Sequence, residues 1–167
     1  MSIGDVFIGL GSNLGNPERQ IEQALGLLEM RAITIDEISS LYRTEPVDAP
    51  VDSWFLNGVA RASGGLPPLE LLDVLLTVEK EMGRVRRERH APRTIDLDLL
   101  LIGDAVMDEP GLTLPHPRLH LRRFVLVPLV EIAPNLVLPK LGVTAEELLN
   151  RCLDTSAVYR VGSLVVP

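Results

Sequence analysis

Residues 94–102 read Thr-Ile-Asp-Leu-Asp-Leu-Leu-Leu-Ile, the strongest strand signature in the chain. Ile95, Leu97 and Leu99 alternate with Asp96 and Asp98, the period-two pattern of a strand with one face in a core. The two carboxylates then share the opposite face, about 7 Å apart along the strand. Adjacent anions at the start of a buried strand repel one another, and desolvation makes this worse. A hard divalent cation resolves that conflict, because Mg²⁺ is bound by one or two carboxylates together with phosphate oxygens. The other reading is a solvated edge-strand pair balanced by arginine.

The segments before this strand set its partners. Val6 to Leu10 is an apolar run that ends in Gly9, Gly11, Ser12 and Asn13, a strand running into a turn. Asn16-Pro17 opens a helix, with Asn16 as N-cap and Ile21, Ala24, Leu25 and Leu28 on one face. Ile33 to Leu41 reads as a strand, followed by Tyr42-Arg43-Thr44, then 45–53 as a polar loop and Trp54 to Ala62 as a third strand. Pro67-Pro68 starts a second helix, with Leu69, Leu72, Leu75, Leu76 and Val78 apolar and Gly83 as its stop. Beyond residue 102 the pattern gives a short strand near Val106, helical pieces over 118–132, a helix capped by Thr144 and Glu147, and a last strand from Val158. This order predicts an α+β, ferredoxin-like β-α-β-β-α-β core. Its sheet is expected to be rich in antiparallel pairs, with helices packed mainly on one face.

Composition narrows the function. The chain has 167 residues, 46% of them hydrophobic, which is a single-domain length with ample material for a core. Its 16 basic and 23 acidic residues give a net charge of −7, unlike a nucleic-acid coat or an anionic-membrane binder. The one cysteine, Cys152, permits neither an internal disulfide nor a cysteine zinc cluster. No apolar stretch approaches a membrane span, and Met1 to Leu10 lacks the basic start of a signal peptide.

Four groups of residues could carry chemistry. Gly9-Leu-Gly-Ser-Asn-Leu-Gly15 lies between a strand and a helix, where a backbone can approach phosphate or simply turn. Its spacing is one residue too long for a dinucleotide fingerprint, although Asp36 sits where a ribose-binding acid would. Just before Asp96 and Asp98, residues 84–93 hold five of the fourteen arginines. Such a run is usually a solvated loop, but arginine donors beside metal-type carboxylates are the two halves of a polyphosphate site. Leu114-Pro115-His116 precedes Arg122, Arg123 and Phe124, so His116 could donate to phosphate or serve only structure. Trp54-Phe55-Leu56-Asn57 offers stacking faces and an amide in a chain with only 4% aromatics, or a plain core strand.

Taken together, these residues resemble the 6-hydroxymethyl-7,8-dihydropterin pyrophosphokinase family of folate biosynthesis. The resemblance is carried by Gly9–Gly15, Ser40–Thr44, Phe55–Asn57, Gly83–Arg86, Pro92–Asp98, Leu114–His116 and Glu131–Pro134. It implies transfer of the pyrophosphoryl group of ATP to the pterin hydroxymethyl, with release of AMP. By the same resemblance Asp96 and Asp98 hold two Mg²⁺ ions, and Arg84 and Arg93 assist transfer at the phosphates. Arg86, Thr113, His116, Arg122 and Glu79 bind ATP. Phe55 and Phe124 stack on the pterin, and Asn57, Thr44 and Val47 read its edge. His90-Ala91 stands where many relatives have an aromatic and a glycine. The stretch after Leu141 matches poorly and receives no role. The overall expectation is a cytoplasmic, monomeric enzyme with one domain over 1–167. Its partners are ATP and the pterin, with no nucleic acid or membrane. The rival readings are an RNA-binding module using the arginine loop and a nicotinamide-dependent oxidoreductase using the glycine segment.

Overall fold

The computed structural model describes residues 4–46, 54–83 and 95–164. The first half runs β1 (Val6–Ser12), α1 (Pro17–Glu29), β2 (Thr34–Ile38), β3 (Ser40–Thr44), β4 (Phe55–Ser63) and α2 (Pro68–Glu81). It continues with β5 (Asp96–Ile102), β6 (Met107–Glu109), β7 (Leu112–Leu114), a 3₁₀ turn (Leu119–Leu121), α3 (Arg123–Ile132), α4 (Ala145–Arg151) and β8 (Val158–Ser163). The main sheet has the order β5-β1-β4-β3-β8, with β2 also on β4, and every pairing is antiparallel. This is the ferredoxin-like core expected from the element order.

Local chemistry accounts for the elements. The Asn16 side chain accepts the Arg19 N–H at 3.1 Å, and Pro17 begins α1 without needing a donor. Ile21, Ala24, Leu25 and Leu28 form its buried stripe. In α2 the buried apolar stripe is Leu71, Leu75 and Val78, continued by Met82 at the C-cap, while Leu69 is 48% exposed. The leucine-rich run satisfies two helical phases, and packing against α1 and β5 selects one of them. Thr144 and Glu147 cap α4 reciprocally, as their spacing predicts.

The strand expected from Ile33 to Leu41 is instead divided between β2 and β3, because Ser39 breaks the ladder. The Ser39 N–H donates to the Val59 carbonyl at 2.9 Å, but the Val59 N–H is taken up by the Ser39 side-chain oxygen, also at 2.9 Å. The segment near Val106 forms a separate hairpin, β6 with β7, rather than joining the main sheet.

The sheet has two covered faces. Val6, Ile8, Leu10, Ala60, Ala62, Leu97 and Leu99 pack under α1 and α2. Phe7, Val59, Leu100 and Leu101 pack against α3 and α4, so the C-terminal third adds a second layer to the expected core. Among the described residues, no helix is long and apolar enough to cross a membrane.

Candidate active site

Strand alternation sorts the site residues onto one face. Leu97 and Leu99 lie in the α1/α2 core, and Leu100 lies in the α3/α4 core. Asp96 and Asp98 therefore project on the α3 side, both half-buried. Across the ladder Asp96 pairs with Gly11 and Asp98 with Gly9, so β1 presents no side chain beside either carboxylate. Gly9 and Gly11 are thus strand residues, not the turn that the sequence suggests. A Cβ on Gly9 would stand 3.5 Å from the Asp98 Cβ, and one on Gly11 would stand 2.6 Å from Asn57 Oδ1. Because β1 is antiparallel to both neighbours, it cannot begin the parallel crossover of a dinucleotide site. Asp36 lies exposed on β2.

Gly11 pairs with Asn57 on its other side, and Asn57 pairs with Tyr42. Asn57 is 8% exposed, and its Nδ2 donates to the Thr44 hydroxyl at 2.6 Å. Phe55 pairs with Thr44 and shares the face of Asn57 two residues on. Phe124, on the first turn of α3, packs against the core on this same face, with the Arg122 guanidinium 5.5 Å from its ring centre.

His116 is held beside the carboxylates. Its N–H donates to the Leu100 carbonyl at 2.7 Å, and its Nδ1 accepts the Arg118 N–H at 3.1 Å. Burial, followed by the charges of Arg122 and Arg118, pushes its pKa down to about 4 against a smaller pull from Asp96. At neutral pH the ring is uncharged, and the occupied Nδ1 leaves the proton on Nε2 as a donor. Thr113 lies on β7, where its hydroxyl donates to Asp108 at 3.4 Å. Glu79 is 2% exposed on α2, and its carboxylate accepts the Leu97 N–H, the amide between the two aspartates, at 3.1 Å. Val47, Arg84, Arg86, His90 and Arg93 lie outside the described residues.

One network was not legible in the sequence. The Glu131 carboxylate on α3 accepts the Tyr42 hydroxyl, the Ser40 hydroxyl at 2.9 Å and the Ser40 N–H. Arg160 of β8 donates to the Ser40 hydroxyl at 2.8 Å. Burial opposes ionisation of Glu131, but the Tyr42 and Ser40 hydrogen bonds and the Arg160 charge outweigh it and lower its pKa. Burial, then the Glu131 contact, pushes the Tyr42 hydroxyl up to about 12. The sequence signal was only Ser40 and Tyr42 at strand spacing; nothing tied them to a residue about ninety positions away.

The residue set suits magnesium. Asp96 and Asp98 are two hard oxygen donors on one face of β5, both half-buried. A carboxylate pair over a glycine floor leaves coordination positions for phosphate and water, which magnesium requires.

The profile of the 7,8-dihydro-6-hydroxymethylpterin-pyrophosphokinase family matches residues 7–134. The chain belongs to this pyrophosphokinase family. A 2-amino-4-hydroxy-6-hydroxymethyldihydropteridine pyrophosphokinase of Pseudomonas aeruginosa is 45% identical over 148 residues, 88% of this chain and 91% of the relative. Its counterpart in Bacillus subtilis is 42% identical over 127 residues, 75% of this chain and 76% of the relative. Among solved structures, Plasmodium falciparum HPPK-DHPS with pteroate superposes with a TM-score of 0.74 at 16% identity, covering 90% of this chain and 44% of that one. That likeness concerns the fold. As a family member the pyrophosphokinase is an enzyme, which transfers the pyrophosphoryl group of ATP to a hydroxymethyldihydropterin in folate synthesis.

Proposed function

We propose that the α3-side face of the sheet is where this transfer occurs, with the pterin at Asn57 and the ATP phosphates at Asp96 and Asp98. The observation that carries the reading is one row of residues across the sheet. Asp96, Gly11 and Asn57 are successive cross-strand partners, so a metal-type carboxylate and a heterocycle-reading amide share one open glycine floor. Asn57 Nδ2 is committed to Thr44 and Oδ1 lies over Gly11, where it can accept from the ring donors of a pterin. Phe55 and Phe124 supply the ring faces.

The hydroxymethyl oxygen attacks the β-phosphorus. A new O–P bond forms there, the bond from that phosphorus to the α–β bridging oxygen breaks, and AMP leaves with that oxygen. Two Mg²⁺ ions held by Asp96 and Asp98 would offset phosphate charge and acidify the attacking hydroxyl. The protein's own share is positioning. Neutral His116 offers Nε2–H to a phosphate oxygen, and Arg122 adds charge at the start of α3. Glu79 fixes the β5 backbone between the carboxylates. Arg84, Arg86 and Arg93 bring further donors to the phosphates, Thr113 contacts the nucleotide, and Val47 contacts the pterin. The enzyme works as a cytoplasmic monomer with one domain.

Incubation with ATP, Mg²⁺ and 6-hydroxymethyl-7,8-dihydropterin tests the reading. AMP and pterin diphosphate in equal amounts support it. ADP as the nucleotide product overturns it.

A further inference from the structure

The segment after α4, which the sequence leaves without a role, fastens the two sides of the pterin slot together. The N-cap of α3, Arg122, makes no side-chain capping bond, yet the first helical N–H, that of Arg123, is not left unmet. Asp154, 31 residues later, accepts it through Oδ2 at 3.0 Å. Asp154 Oδ1 accepts the Ser156 N–H at 2.9 Å and the Ser156 hydroxyl. One residue on, the Ala157 N–H donates to Glu45 Oε1 at 3.1 Å, and the Glu45 N–H returns a bond to the Ala157 carbonyl at 3.1 Å. Val158 then pairs with Thr44. Residues 154–157 therefore run as a strap from Arg123, beside Phe124, to Glu45, beside Thr44. Burial opposes the Asp154 charge, but the Ser156 and Arg123 bonds and the Arg123 charge outweigh it and hold its pKa below the usual range. An anion at a helix N-terminus is also favoured by the aligned peptide dipoles.

We infer that Asp154 is a positioning residue for pterin binding: its carboxylate sets where α3 begins, and so where the Phe124 ring stands relative to Thr44 and Asn57. This rests on the reading that Phe124, Thr44 and Asn57 hold the pterin. No atom of Asp154 need touch the substrate. Cutting the strap leaves the sheet intact but lets the start of α3 shift, which a slot built for a flat ring would register as weaker binding.

The test compares Asp154→Ala, Asp154→Asn and Thr144→Ala at a temperature where circular dichroism shows all three folded. Thr144→Ala removes the α4 cap, so it loosens the same C-terminal layer without touching the strap. Asp154→Ala should weaken 6-hydroxymethyl-7,8-dihydropterin binding by about fivefold or more, the factor expected for loss of a good cap. Asp154→Asn has one acceptor oxygen, so it can keep the Arg123 bond or the Ser156 N–H bond but not both. It should fall between Asp154→Ala and the wild type, and Thr144→Ala should bind as the wild type does. Wild-type pterin affinity in Asp154→Ala, or an equal loss in Thr144→Ala, would overturn the inference. Amide exchange at Arg123 and Phe124 in the ligand-free protein is the second readout. Faster exchange in Asp154→Ala supports the strap, and unchanged exchange overturns it. If the wild type itself does not bind the pterin, the reading of the site fails, while the exchange result still decides the strap.

Discussion

Asn57 Oδ1 stands directly over Gly11, where a β-carbon would come within 2.6 Å of it, while Asn57 Nδ2 is tied to the Thr44 hydroxyl at 2.6 Å. A new methyl group there must displace the amide, which strains its bond to Thr44. Gly11→Ala should therefore fold, with the pterin affinity reduced by about tenfold, the size of one lost buried hydrogen bond. Calorimetry with the pterin and, separately, with ATP and Mg²⁺ checks this. Equal weakening of both ligands would show that the whole sheet had been disturbed.

Asp96→Asn and Asp98→Asn keep the shape of the strand and remove its paired charge. Each should lower turnover by about 10²–10³, the effect of losing several kcal/mol of metal-based stabilisation. Thermal melting should show a native fold, and steady-state rates at saturating Mg²⁺ measure the loss. Near-normal turnover in either variant contradicts the metal assignment.

Ser39 is fully buried and satisfies the Val59 N–H where the strand breaks. Ser39→Ala leaves that donor buried without its partner, which costs about 1–3 kcal/mol. Urea unfolding should show a lower midpoint with an unchanged slope.

His116 carries a pH signature. Its folded pKa of about 4 lies below the ordinary 6.5, so between those values the unfolded chain binds more protons than the folded one. Stability from this group is present above about pH 6.5 and is lost as the pH falls toward 4. His116→Asn should flatten that part of the stability profile in buffer free of nucleotide and metal. An unchanged slope in the variant would mean that the ring is not held neutral.

Elements with local causes were legible in the sequence. Asn16-Pro17 and the Thr144–Glu147 pair each carry a cap within four residues, and Asp96 and Asp98 carry their face in the alternation around them. What the sequence concealed depends on long-range pairing. Gly9 and Gly11 look like a turn until β5 and β4 are laid against them. Leu69 and Leu76 look buried until packing chooses the phase of α2. The contacts of Ser40 and Tyr42 with Glu131, and of Arg123 with Asp154, join residues that no sequence periodicity connects. Asp96, Asp98, His116, Asn57 and Phe124 stand out in the sequence as candidates because each belongs to a short motif. Glu79 has its environment set by tertiary packing, where it meets the Leu97 amide rather than solvent.

The most direct measurement of the account is a crystal structure of the enzyme with a non-transferable ATP analogue, Mg²⁺ and 6-hydroxymethyl-7,8-dihydropterin. It should hold the pterin between Phe55 and Phe124 with its edge on Asn57, and the metal on Asp96 and Asp98 over Gly9 and Gly11. Ligand density on the α1/α2 side of the sheet, or metal bound away from both aspartates, would contradict it.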